Sequence, residues 1–323
     1  MKVSETIFLC GFIQQIETND AFKSLAIIEA VKTGGIKVIE LMWNRDTTCD
    51  VLNRIKNEYP DLTIGVGNLH SLEECTKAIE SGAQFILIDK IDKEILEFCQ
   101  KHDVLMIPQC DSIADVIAAK KENLVVANYV CQEKYDNLFY LRQLAALFTD
   151  MKFIVSLGAE SENISSFLSA PFVNAVCGSW TYSREDIENE NWNKIIIKCE
   201  DTITSVMGFE MYHLGINMES AVQACHLCDE MHEAFRFKLR DNGPSSRFAG
   251  NNVEVMKKIY RGEKGHFAIR TNNVDRAIAY LMERGYQMDM DTAYYADGRI
   301  YTVYLKDEYS FGGFAVHLLQ KTF

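Results

Sequence analysis

The chain has 323 residues, 48% of them hydrophobic and 24% charged, enough for two globular domains or for one barrel plus a smaller unit. Lys and Arg number 33 against 46 Asp and Glu, a net charge of −13, which disfavours nucleic acid and anionic membrane surfaces as partners. No apolar run nears the ~18 residues that span a bilayer, MKVSETIFLCGFIQQ lacks the pattern of an export signal, and the ten cysteines follow no framework spacing, so a cytoplasmic protein with reduced thiols is expected.

Apolar runs of four to seven residues recur through the first 200 positions: IFLCGFI (7–13), KVIELM (37–42), LTIGV (62–66), FILI (85–88), VLMIP (104–108), LVVANYV (124–130), FIVSL (153–157) and VNAVCG (173–178). Helical patterns separate them, among them NDAFKSLAIIEAVKTGG and SLEECTKAIESGA, which end on glycines at C-cap positions. Continuous rather than alternating apolar strands imply burial on both faces, hence a parallel sheet. Eight such βα units predict a closed (β/α)8 TIM barrel over residues 1–205. An open doubly wound sheet is the alternative, but no GxGxxG follows the first strand.

After about Met207 the pattern changes. FEMYHLGINMESAVQACHLCDEM (209–231) and KGHFAIRTNNVDRAIAYLMERGY (264–286) each read as strand, turn and amphipathic helix, and each is followed by strand-like stretches, the second including a hairpin about Asp297-Gly298. Residues 206–323 therefore read as an α+β domain, a tandem βαβββ repeat. Its Cys225-x-x-Cys228 stands alone and on a helix, so packing explains it better than metal binding.

Chemistry in a parallel barrel gathers where strands end. Strand two ends on Glu40, followed by Trp43, Asn44 and Arg45; strand three on Asn68; strand four on Asp89-Lys90; strand six on Ala127, Asn128 and Tyr129; strand seven on Ser156 and Gly158; strand eight on Cys177, Gly178 and Ser179. Glycines beside serines after strands seven and eight can cradle a phosphate through backbone N–H groups.

GGIKVIEL, GVGN, SGAQFI, MIPQC, SLGAES and CGSW, in that order and spacing, resemble the 2-keto-3-deoxy-6-phosphogluconate / 4-hydroxy-2-oxoglutarate aldolases over residues 8–182. The resemblance implies a barrel, usually trimeric, hence a homo-oligomer here. It also implies a cofactor-free lyase that releases pyruvate from a small keto acid or sugar-acid phosphate through a lysine Schiff base. It places the proton-shuttling carboxylate at Glu40 and the phosphate loops at Gly158, Gly178 and Ser179. Substrate contacts fall at Asn68, in place of the family's threonine, and at Arg45, one residue beyond Asn44, which takes the place of its arginine. The Schiff-base lysine falls at Ala127 or Asn128. Lys90, the lysine standing at a strand's C-terminal end, is the amine that could serve instead. A barrel that binds its ligand without cleaving it is the alternative.

In the tandem repeat, His213 lies on the first strand of copy one and Glu254 on its last, while His266 and His317 occupy the equivalent strands of copy two. This resembles the vicinal oxygen chelate fold of glyoxalases, which implies a divalent metal (Zn, Ni, Mn or Fe) on His213, Glu254, His266 and His317, and a metal-dependent isomerase or lyase as a further reading. Imidazoles with a carboxylate suit such ions.

Overall fold

The computed structural model describes residues 2–17, 19–131, 136–156, 161–296 and 298–322. It divides into two compact units, Met1–Val206 and Met207–Thr322, each with its own eight-stranded sheet.

The first unit alternates strand and helix: α1 (Val3–Cys10), β1 (Phe12–Glu17), α2 (Ala21–Thr33), β2 (Val38–Met42), α3 (Thr48–Glu58), β3 (Thr63–Leu69), α4 (Leu72–Glu80), β4 (Phe85–Ile88), α5 (Lys93–Lys101), β5 (Leu105–Pro108), α6 (Ile113–Lys121), β6 (Val126–Val130), α7 (Asn137–Leu147), β7 (Lys152–Ser156), α8 (Ile164–Leu168), β8 (Val173–Gly178), α9 (Arg184–Glu188) and α10 (Trp192–Met207). Its strands run parallel in the order β5-β4-β3-β2-β1-β8-β7-β6. The Gln109–Asn128 bridge and the Cys110 N–H bond to the Asn128 carbonyl at 2.8 Å join β5 to β6, so the sheet closes into the expected (β/α)8 barrel. Side chains at Asp20, Ser71, Asp92, Ser112, Asp136 and Ser183 cap the helices that follow the strands, accepting first-turn N–H groups.

One expectation is corrected. The apolar run 7–13 is not a strand: its first part belongs to helix α1, which ends at Gly11 in the left-handed region (φ 71°), with the Gly11 N–H bonded to the Ile7 carbonyl. Ile7 instead joins Ile13, Val38, Phe85, Ile107, Val126, Ile154 and Ala175 in one buried cluster, so the helix that precedes β1 plugs the barrel interior. Hydrophobicity alone cannot distinguish a plugging helix from a buried strand.

The second unit contains β9 (Glu210–Asn217), α11 (Ala221–Phe235), β10 (Leu239–Asn242), β11 (Ser246–Ala249), β12 (Val253–Met256), β13 (Gly265–Thr271), α12 (Val274–Met282), β14 (Met288–Ala296), β15 (Arg299–Leu305) and β16 (Phe314–Gln320). The sheet order β10-β11-β12-β9-β13-β16-β15-β14 is that of two βαβββ copies side by side. In each copy the first strand pairs in parallel with the last, and β9 and β13 join the copies antiparallel. The helices cover one face: Ala224 and Cys228 of α11 pack on Ala249 and Val255, and Val274 and Ala277 of α12 pack on Val303, Val316 and Leu318. Side chains alternate along a strand, so His317, next to Leu318, falls on the other face. Asp297 of the expected hairpin turn lies outside the described residues.

Candidate functional site

Inward positions of the barrel are apolar at one end and polar where the strands finish. Val38 and Glu40, two residues apart, face the same way, and Glu40 is only 2% exposed. Its Oε2 accepts from Gln15 Nε2 on β1 and from Cys177 Sγ on β8, each at 3.0 Å. Glycines of β3 make the room: a Cβ on Gly67 would stand 1.8 Å from Glu40 Oε1, and one on Gly65 would stand 2.2 Å from the Phe85 ring. This is the physical reason for the GVGN motif. Beside Cys177, Ser156 Oγ donates to Asn128 Oδ1 at 2.6 Å. Gln15, Glu40, Cys177, Ser156 and Asn128 thus form a polar layer drawn from five strands. Burial raises the Glu40 pKa, and the bonds from Cys177 and Gln15 offset only part of that rise. Burial, then the Glu40 charge, pushes the Cys177 thiol well above its ordinary value, so it stays protonated and donates.

Gln15 also lines a cavity of about 620 Å³ with Met42, Lys23, Tyr182 and Ser179. Tyr182 fixes this rim: its hydroxyl donates to the Gln15 carbonyl at 3.1 Å and accepts from the Glu17 N–H at 3.3 Å.

The other sequence-derived barrel residues do not join the layer around Glu40. Lys90 is exposed after β4, and Arg45 is exposed in the loop after β2. Asn68 is exposed at an irregularity of β3 and holds a left-handed φ of 60°. Gly178 is buried because Trp180 lies across it, where a Cβ would meet the indole at 2.1 Å; this packing reason was not visible in the motif. Ser179 reaches the cavity rim. Gly158 lies outside the described residues. Of the two strand-six positions, Asn128 carries the inward side chain, bonded to Ser156. No lysine among the described residues is buried.

In the second unit, four side chains from the two copies converge. Nε2 of His213 (β9) stands 3.1 Å from Nε2 of His266 (β13), and Glu254 Oε2 (β12) lies 3.1 and 3.3 Å from the same two atoms. His317 on β16 completes a triad of histidines whose ligand atoms all lie within 4.8 Å of one another. Thr302 Oγ1 donates to the Leu318 carbonyl at 2.8 Å and therefore accepts from His317 Nδ1 at 2.9 Å, which leaves the lone pair on Nε2. That Nε2 is buried without a hydrogen-bond partner. Ser246 donates to Glu254 Oε1. Burial alone would raise Glu254, but bonds from His213, His266 and Ser246 carry its pKa below the usual carboxylate range. Burial, then the neighbouring imidazoles, lowers His317 to about 3. Gly215 is the floor of the cluster: a Cβ there would meet the His266 ring at 2.1 Å. Two imidazole nitrogens in contact, a bare Nε2 and an ionised carboxylate fit a divalent cation.

A family model described as KDPG and KHG aldolase matches residues 5–198. The chain belongs to the KDPG and KHG aldolase family. A 2-dehydro-3-deoxy-phosphogluconate aldolase of Pseudoalteromonas atlantica is 22% identical over 206 residues, 64% of this chain and 96% of that protein. The KHG/KDPG aldolase of Escherichia coli is 20% identical over 172 residues, 53% of this chain and 81% of that one. The structure of a KDPG aldolase from Legionella pneumophila, with pyruvate captured as a covalent carbinolamine, has a TM-score of 0.58 at 24% identity, covering 62% of this chain and 98% of that chain. No helix of the described residues is long and apolar enough to cross a membrane.

One member of the polar layer, Gln15, escaped the sequence reading altogether. Gln15 follows Ile13 by two residues and so shares its inward face, a signal hidden by the mistaken strand at 7–13. Cys177 and Ser156 stood at the ends of strands eight and seven in the sequence, where nothing showed what they bond. Thr302 was also missed: it orients His317 from a neighbouring strand, and nothing in the repeat pattern marks such a partner.

Proposed function

We propose that the barrel is a carbon–carbon lyase for a 2-keto-3-deoxy or 4-hydroxy-2-keto acid, releasing pyruvate, and that it works without a lysine Schiff base. Family membership supports lyase chemistry, and the observation that carries the reading is Glu40, buried in the lumen with a raised pKa. Cleavage needs a base for the 4-hydroxyl proton and then an acid that returns a proton to the three-carbon fragment. A carboxyl whose pKa is raised by burial serves both steps. Gln15 and Cys177 hold the carboxylate in place for that work. Where a lysine would make an iminium, the lumen offers the neutral carboxamide of Asn128, a weaker sink for the developing negative charge, so slow turnover is expected. The test is pyruvate release from candidate acids, with borohydride added to pyruvate-loaded protein. Release that is lost in Glu40→Gln and leaves no lysine adduct supports the reading. A trapped adduct overturns its amine-free part and would direct attention to Lys90.

The four-ligand cluster favours a second reading, a metal-dependent isomerase or lyase centred on the C-terminal unit. His213, Glu254, His266 and His317 would hold the ion, with Thr302 and Ser246 orienting two of the ligands. A Zn²⁺, Ni²⁺, Mn²⁺ or Fe²⁺ there supplies Lewis acidity toward an oxo acid or enolate. The support is the bare, buried Nε2 of His317 beside three other ligand atoms. One equivalent of metal retained after reconstitution and desalting, and lost in His266→Ala, is the expected result. Wild-type protein that keeps no metal sinks the reading.

A further inference from the structure

The ligand cluster lies on a sheet face whose cross-strand rows can be followed outward. Arg240 of β10 is directly opposite Phe248 of β11, Phe248 is opposite Glu254 of β12, Glu254 is opposite Gly215 of β9, and Gly215 is opposite His266 of β13. Residues directly opposite in a sheet share a face, so Arg240 points to the same side as the ligands, two strand spacings, about 10 Å, from Glu254. Phe248 connects the two: its ring meets His213 edge-on at 5.7 Å between centroids, and the Arg240 guanidinium lies over it at 4.2 Å. A guanidinium on an aromatic face keeps its N–H edges free for a planar anion.

The opposite wing of the same face carries an arginine of a different kind. Arg261 stands over the Tyr304 ring, but Asp289 at 2.6 Å and Asp307 at 3.1 Å already neutralise it. Arg240 is exposed and, among the described residues, has no carboxylate within ion-pair distance. On this face Arg261 is thus committed to its own chain, whereas Arg240 is exposed and open to a ligand.

We infer that Arg240 reads an anionic group at the far end of the ligand of this centre, an oxo acid whose reactive end meets the four-ligand cluster and whose other end carries a carboxylate or a phosphate-like group a few atoms away. The inference rests on the reading of the cluster as a metal centre. It makes the site selective for doubly anionic acids over acids with an uncharged tail. A bidentate guanidinium–anion contact gives about a tenfold preference.

The test uses the full chain reconstituted with Co²⁺, whose visible spectrum reports ligands entering the centre. The protein is titrated with 2-oxoglutarate, 2-oxo-4-phosphonobutyrate and 2-oxobutyrate. An anionic tail should bind about tenfold more tightly than the neutral one, and whichever anion binds better identifies the group. Arg240→Met should erase that difference while leaving Co²⁺ affinity and 2-oxobutyrate binding unchanged, and Arg240→Lys should restore part of it. A preference that survives in Arg240→Met, or none in the wild type despite bound Co²⁺, overturns the role of Arg240 alone. Failure of the wild type to bind Co²⁺ overturns the metal centre, and this inference with it.

Discussion

The Cys177 thiol donates to the Glu40 carboxylate at 3.0 Å across the barrel interior, linking β8 to β2 through two side chains that are 1% and 2% exposed. A thiol in that position is protonated and enclosed, so it should be inert. With iodoacetamide at pH 8, the partly exposed Cys49 and Cys225 should be labelled well before Cys177, as peptide mapping by mass spectrometry would show. Rapid labelling of Cys177 in the folded protein would contradict the enclosure.

The raised Glu40 pKa gives a signed pH dependence. The folded state holds the proton above the ordinary value of 4.5, so between that pH and the folded pKa it binds more protons than the unfolded chain does. Stability contributed by the neutral carboxyl is full below 4.5 and is lost as pH rises through the folded pKa, each tenfold difference in proton affinity being worth about 1.4 kcal/mol. Glu40→Gln removes this titration. The melting temperature of Glu40→Gln should therefore gain on the wild type as pH increases from 4.5 to 8, and a constant difference would argue against a raised pKa.

Gly67→Ala tests the packing around the carboxylate. The new methyl would overlap Glu40 Oε1, which stands 1.8 Å from an ideal Cβ, so the side chain must swing away from Gln15 and Cys177. The expected cost is about 1–3 kcal/mol in a urea titration, with Cys177 becoming easier to alkylate. Wild-type stability and labelling would mean that the lumen has room to spare beside the carboxylate.

Asn128→Lys asks whether the barrel interior can host a reactive amine. The new side chain would enter the layer that holds Glu40, where burial lowers a lysine pKa toward the range in which it attacks carbonyls. Borohydride reduction with pyruvate should attach the three-carbon unit to residue 128 in this variant. The absence of an adduct in a folded Asn128→Lys protein would argue against a pyruvate subsite beside residue 128.

The barrel was legible because its strands are continuous apolar runs between well-capped helices, and both periodicity and capping are local. The first strand misled because Ile7, Phe8 and Leu9 are as apolar in a plugging helix as in a strand. The strand ends pointed to Glu40 and left strand six open between Ala127 and Asn128; a one-residue shift reverses the facing of every side chain, so only the fold could place Asn128 inside. Lys90 and Arg45 stood near strand ends in sequence, but loop geometry puts them in solvent, and sequence spacing carries no information about that. In the second unit, repeat equivalence paired His213 with His266 and Glu254 with His317, because the strand order of a duplicated module is inherited intact. The fixed tautomer of His317 depends on Thr302, fifteen residues away on another strand, and such cross-strand partners have no linear signature.

Each βαβββ copy owns half of the four-residue cluster, His213 and Glu254 in one, His266 and His317 in the other, and the β9–β13 ladder brings the halves together. An ion held there would act as a clasp between duplicated modules. By mass action, free ion at a hundred times its dissociation constant would add about 2.7 kcal/mol to the folded C-terminal unit, and a chelator would remove it. If the chain were cut in the segment between β12 and β13, the β9–β13 ladder would still join the two modules, and the ion present would set how tightly they hold.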